Sequence, residues 1–146
     1  RYGRELFNWS KHLIALRKKW SHFRRRDFAI YVDQAWNGAG NAGSANNGKF
    51  SYSWENNDGG PTRLAVIWWG KSGEPDIMVL YNEHWDSTTF SGLQGWSQGN
   101  WKILARSWYG AGDDFGNLDN WSANPAAGDS LVVKGRSMAI LISDNN

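Results

Sequence analysis

Leu6, Trp9, Leu13, Leu16, Trp20 and Phe23 recur at spacings that alternate between three and four residues, which predicts a helix within residues 5–26 with these side chains on one face. Phe7 and Ile14 widen the stripe. An apolar stripe of this width has to be buried against another element, and no second helical period follows to receive it. The helix therefore reads as the last element of a larger structure. We expect Leu6, Leu13, Leu16 and Trp20 to pack onto the β-structure that follows or onto a second copy of the chain, because so large a patch is rarely left in water.

After residue 26 the pattern changes to short runs of aromatic and β-branched residues separated by Gly, Asn, Asp and Ser. Residues 27–33 have strand character. Residues 37–48 are dominated by Gly, Asn, Ala and Ser and predict a surface loop. Residues 50–54 alternate apolar and polar, and residues 56–61 carry turn chemistry. Residues 63–69 and 76–82 predict two strands joined by a turn at 70–75, a hairpin. A short strand at 88–90 and a longer one at 101–107 follow, then a loop over 108–129 rich in Gly, Asp and Asn. Strands at 130–134 and 137–142 flank Gly135-Arg136. The final run is nearly all apolar, which predicts a strand in a central position or one covered on both faces. The fold class expected is mainly β, an antiparallel β-sandwich preceded by one amphipathic α-helix, with the boundary between residues 1–26 and 27–146. No internal repeat is visible.

Charge sharpens that boundary. The net charge of +2 conceals nine Lys/Arg against one Glu in residues 1–26, and seven Lys/Arg against thirteen Asp/Glu in the remainder. Lys18, Lys19, Arg24, Arg25 and Arg26 fall in the last turns of the helix, where cations complement the helix dipole. With no accompanying recognition motif, this basic segment is read as a helix end and no nucleic-acid partner is assigned. No run approaches the roughly 18 apolar residues of a membrane span. The absence of cysteine removes disulfides and thiolate metal sites. It favours a cytoplasmic setting while leaving a secreted one open.

The order of four segments resembles the C-terminal region of isoamylase-type debranching enzymes in the α-amylase superfamily of glycoside hydrolases. Lys11-His-Leu-Ile-Ala-Leu-Arg-Lys-Lys-Trp-Ser-His-Phe-Arg-Arg25 resembles the last helix of the catalytic barrel. Ser53-Trp-Glu-Asn-Asn-Asp-Gly59 is similar to the family's tryptophan followed shortly by Asp-Gly. Met78-Val-Leu-Tyr-Asn-Glu-His-Trp-Asp-Ser-Thr-Thr-Phe90 resembles its strand, turn and Thr-Phe segment, and Lys134-Gly-Arg-Ser-Met-Ala-Ile-Leu141 its closing strand. Two features depart from the pattern: Trp20-Ser21 stands where His-Pro is usual, and 37–48 has no counterpart. The resemblance implies residues 1–26 as the terminal helix of a (β/α)8 barrel and residues 27–146 as the C-terminal β-sandwich that stabilises it. The parent reaction it implies is retaining hydrolysis of α-1,6 branch linkages in starch or glycogen. Its catalytic acids would lie on barrel strand ends, outside this chain.

Candidate chemistry within the chain is sparse. Glu83 and Asp86 flank His84-Trp85 and superficially suit a two-carboxylate glycosidase, but a solvated turn does not split carboxyl pKa values. No catalytic residue is therefore assigned. Asp113, Asp114, Asn117 and Asp119 lack the ligand order of an EF-hand, so no metal and no cofactor are assigned. His12 and His22 are placed on the solvated side of the helix. Two Asn-Xaa-Ser sequons occur, at Asn8 and Asn120.

The eleven tryptophans matter more, because sugar rings stack their apolar faces on indole. Trp9 and Trp20 belong to the helix stripe. Trp68 and Trp69 are adjacent on a strand and must point to opposite faces, so one of them leaves the sandwich interior, either to pack under the helix or to lie exposed. Trp85, Trp96, Trp108 and Trp121 fall in turns and loops and are the candidate carbohydrate-binding residues. The competing reading is that loop tryptophans pin their loops onto the core. The alternative function is thus a starch- or glycogen-binding module.

Overall fold

In a computed structural model, the fold is described for residues 2–24, 50–55, 63–70, 73–96, 100–108 and 126–144. The expected strand at 27–33, the loop at 37–48, the turn at 56–61 and most of the loop at 108–129 lie outside these residues. The architecture is mainly β, with antiparallel sheets and one α-helix.

Helix α1 spans Tyr2–Lys19, with Arg17, Lys18 and Lys19 in its last turn, and a 3-10 turn follows at Ser21–Arg24. The Trp20 amide still donates to the Leu16 carbonyl at 2.9 Å. The Arg17 guanidinium then reaches past the helix end and donates to the Phe23 carbonyl of the 3-10 turn at 2.7 Å, which ties that turn back onto α1.

Strands β1 (Phe50–Glu55), β2 (Arg63–Trp68), β3 (Ile77–Asn82), β5 (Trp101–Arg106) and β7 (Ser137–Ser143) form an antiparallel sheet in the order β1-β2-β3-β7-β5. The expected hairpin is present as β2 and β3, paired from Arg63–Asn82 to Trp68–Ile77. The apolar run of β7 does take a central place, between β3 and β5. Strands β4 (Thr88–Ser91) and β6 (Ser130–Val133) form a separate two-stranded sheet. Consecutive strands β6 and β7 do not pair. Arg136 between them sits at φ 52°, a left-handed conformation that redirects the chain from one sheet to the other.

Side-chain alternation sorts the large sheet into two apolar faces. On one face Ala65, Ile67, Trp69, Met78, Leu80, Trp101, Ala139 and Leu141 pack with Phe90, Leu93 and Val133 from around the small sheet. On the other, Ile77, Val79, Ile140 and Ile142 pack with Leu16 of α1, and Trp9, Leu13, Trp20 and Phe23 close around them. Trp68 and Trp69 divide as expected. Trp69 joins the first cluster, while Trp68 lies under the helix end, 5.7 Å from the Phe23 ring at 60°.

The helix buries a narrower stripe than its sequence implies. Leu16 is 1 % exposed, but Leu6 is 66 % exposed, and Phe7 and Ile14 are exposed too. Leu6 lies one turn before Trp9, the first stripe residue that reaches the sheet, so its expected packing onto the β-structure is corrected. The two helix-region histidines are also corrected. His12 and His22 are both buried. His12 is three residues from Trp9 and four from Leu16, which puts it at the edge of the docked face, and its ring stacks 6.3 Å from Trp9.

Candidate functional site

The C-terminal ends of β3 and β5 and the start of β7 meet at one end of the large sheet, since Asn82 pairs with Ser137 and Arg106 with Ala139. The turn after β3, residues 83–87, folds there against the turn before β7, residues 134–136. Asn82 builds this junction. Its side-chain amide donates to the carbonyls of Asp86 (2.7 Å), Val133 (3.0 Å) and Lys134 (3.0 Å), and its Oδ1 accepts the His84 amide at 3.0 Å. The side chain is buried, so all its polar capacity goes into the two turns. The Arg136 amide adds a bond to the His84 carbonyl at 2.8 Å.

Gly135 permits the approach. A Cβ at that position would stand 1.7 Å from the Trp85 carbonyl oxygen and 2.4 Å from its carbon. The two turns are therefore in backbone contact, closer than any side chain allows. Within the outer turn, the Asp86 amide donates to His84 Nδ1 at 3.1 Å, and the His84 ring lies 4.5 Å from that of Trp85, tilted by 35°.

The result is a fixed turn that carries Trp85 at 71 % exposure. Beside it, Tyr81, Glu83, Ser107, Arg136, Ser137 and Met138 line an open groove of about 350 Å³. Ser107 is itself tied to β7, through its amide to the Met138 carbonyl (2.9 Å) and its Oγ, which accepts the Met138 amide (2.8 Å). A phenol, an indole, two serine hydroxyls, one carboxylate and one guanidinium thus stand at one sheet end.

The four candidate tryptophans separate. Trp85 is an exposed ring on a built turn. Trp108 is half-buried against the first apolar cluster, with the Arg106 guanidinium 5.7 Å over its ring, so it pins the chain after β5 to the core. Trp96 closes a 3-10 turn at Leu93–Trp96, and its side chain lies outside the described residues, as does Trp121 altogether. The acidic positions Asp113, Asp114, Asn117 and Asp119 also fall outside.

Glu83 and Asp86 are both exposed, Asp86 with a side chain 77 % accessible, and the contact between Asp86 and His84 Nδ1 is long at 3.9 Å. Nothing in this setting dries the two carboxyl groups, as a paired acid and base would require. Among the described residues, no three His, Asp or Glu side chains are placed to hold a metal ion. No described helix is long and apolar enough to cross a membrane. Sequence reasoning singled out Trp85 but passed over Asn82 and Gly135, which position it. The signal available was a polar residue ending an apolar strand and a glycine opening a turn, both too common to mark a site alone. No protein-family model matches the chain, and comparison with curated proteins and with solved structures found no match.

Proposed function

We propose that this chain is a non-catalytic C-terminal β domain of an isoamylase-type α-glucan debranching glycoside hydrolase, with α1 as the joint to a catalytic (β/α)8 barrel. The observation that carries the reading is that α1 is apolar on two sides. Trp9, Leu13 and Leu16 face the large sheet, while Phe7 and Ile14, seven residues apart on the other side, and Leu6 between the two sides stand in solvent. A helix that ends one folded unit and begins the next needs an apolar surface for each. The four resembling segments supply the identity of the second unit, and the small sheet of β4 and β6 is read as the outer layer of the family's sandwich. In this reading the domain stabilises the barrel and does no chemistry of its own.

The test is the coding sequence upstream of Arg1. Alternating strand and helix patterns of a (β/α)8 barrel in the same frame support the proposal, and a start codon immediately before Arg1 overturns it. Release of reducing ends from pullulan by the purified chain overturns it as well. Without its barrel the chain is expected to associate through Leu6, Phe7 and Ile14, which light scattering would register as a dimer that Phe7→Glu returns to monomer.

A further inference from the structure

We propose that Trp85 and the groove of Tyr81, Glu83, Ser107, Arg136 and Ser137 form a binding site for a neutral oligosaccharide, independent of the barrel-docking role of α1. Trp85 is the exposed ring among the tryptophans whose burial is described, the others being buried or half-buried. Trp85 is also held for use. The turn that carries it is fixed by the bonds of Asn82 and by backbone contact at Gly135, and the His84 ring packs against the indole at 4.5 Å, tilted by 35°. A ring positioned in advance loses little conformational entropy when a ligand covers it.

The surrounding chemistry selects the ligand. A pyranose offers an apolar face of C–H groups to the indole and hydroxyls at its rim, which suit the donor left on Ser107 Oγ, the acceptor left on Ser137 Oγ, whose proton goes to the Gly135 carbonyl, the Glu83 carboxylate and the Arg136 guanidinium in the groove. A nucleic acid would also stack on an indole, but Glu83 and Asp86 flank Trp85 on both sides and would repel a phosphate backbone. The two turns together set Glu83 and Asp86 against Lys134 and Arg136, a balanced surface that suits an uncharged ligand.

Titration of the purified chain with maltoheptaose, cellohexaose and a single-stranded oligothymidylate, followed by calorimetry, tests the site. Saturable binding of either saccharide at millimolar concentration or below is expected. Trp85→Ala should weaken it by at least about tenfold and Trp85→Phe by much less. Arg136→Gln, which leaves the indole in place, should weaken it about threefold or more by removing a charged hydrogen-bond donor. Binding of cellohexaose with no binding of maltoheptaose would support the site as one for β-linked glucan and would leave the α1 joint of the proposed function, which requires no sugar at Trp85, untouched. No saccharide binding, equal binding by Trp85→Ala with an unchanged circular dichroism spectrum, or binding of the oligonucleotide in place of sugar would overturn the proposal.

Discussion

His12 of α1 lies 3.1 Å from the carbonyl oxygen of Leu104, the residue that β5 carries in excess of its partner strand. Ile103 pairs with Leu141 and Ala105 with Ile140, so Leu104 is the extra residue of a β-bulge. The bulge turns both Leu104 and Ala105 toward the helix side, where both are buried. It also takes the Leu104 peptide out of the ladder with β7. A carbonyl only accepts, so the imidazole donates from Nε2. The helix thus satisfies a buried acceptor that the sheet has released.

Burial lowers the pKa of His12 from 6.5, and the bond to Leu104, which favours the charged form, only partly offsets it. The native state therefore resists protonation more than the unfolded chain does. Stability is expected to be full above pH 6.5 and to decline as pH falls below it, because the unfolded state then binds the extra proton. His12→Gln keeps a donor without the titration. Urea unfolding from pH 7.5 to 5 should show the decline in the natural chain and a flatter profile in His12→Gln. An equal decline in both would assign the pH dependence to other groups.

Leu16 and Leu6 belong to one stripe in the sequence and to different environments in the fold. Leu16→Ala should cost about 3 kcal/mol, since the side chain is buried among Ile77, Val79 and Ile140. Leu6→Ala should stay within about 0.5 kcal/mol in the isolated chain at low concentration. Chemical denaturation of the two variants decides the matter, and comparable losses would mean that the whole stripe is covered.

Much of the large sheet was legible because its signals are local. The β2–β3 hairpin follows from two apolar runs around a turn, and the unbroken run of β7 marks a strand covered on both faces. The division of Trp68 and Trp69 follows from strand alternation alone. What stayed hidden depends on partners distant in sequence. Nothing local in Trp101-Lys-Ile-Leu-Ala-Arg106 announces a bulge at Leu104, so nothing revealed that His12 would be needed on the docked face. The pairing of β4 with β6 spans some forty residues of intervening chain, and a two-residue turn with Arg136 at positive φ, which resembles a hairpin in the sequence, leads instead from one sheet to the other. Trp85 and Trp108 look alike as loop tryptophans. Packing on the core distinguishes them, and burial of that kind is a tertiary property.

Asn82 should tolerate no loss of its amide. Asn82→Ala leaves the carbonyls of Val133, Lys134 and Asp86 without their donor, and about 2–3 kcal/mol of destabilisation is expected. Asn82→Asp has nearly the same shape but sets a carboxylate against three carbonyl oxygens. Its loss should exceed that of Asn82→Ala at pH 7 and shrink as the pH is lowered toward 4, where the acid becomes a donor. Thermal unfolding across that range reads the difference. Greater stability of Asn82→Asp than of Asn82→Ala at pH 7 would mean that the amide bonds contribute little.

Gly135→Ala is the sharpest probe of how the two turns fit. The added Cβ would meet the Trp85 carbonyl oxygen at 1.7 Å, and both sides of that contact are backbone, so no side chain can rotate away. Either the 83–87 turn moves off the 134–136 turn, with loss of the Arg136 amide bond to His84 and the Asn82 bonds across the junction, or β7 shifts against β3. We expect a destabilisation of roughly 2–4 kcal/mol, comparable to overpacking a core. Arg136→Ala separates this effect from backbone strain, because it keeps the left-handed residue in place while removing only an exposed side chain. Arg136→Ala should unfold within about 0.5 kcal/mol of the natural chain. In Gly135→Ala the tryptophan emission should also shift relative to that of a Trp85→Phe background, as the indole leaves its tilted contact with His84. An alanine at position 135 that leaves both stability and that emission unchanged would show that the turns do not touch through their backbones.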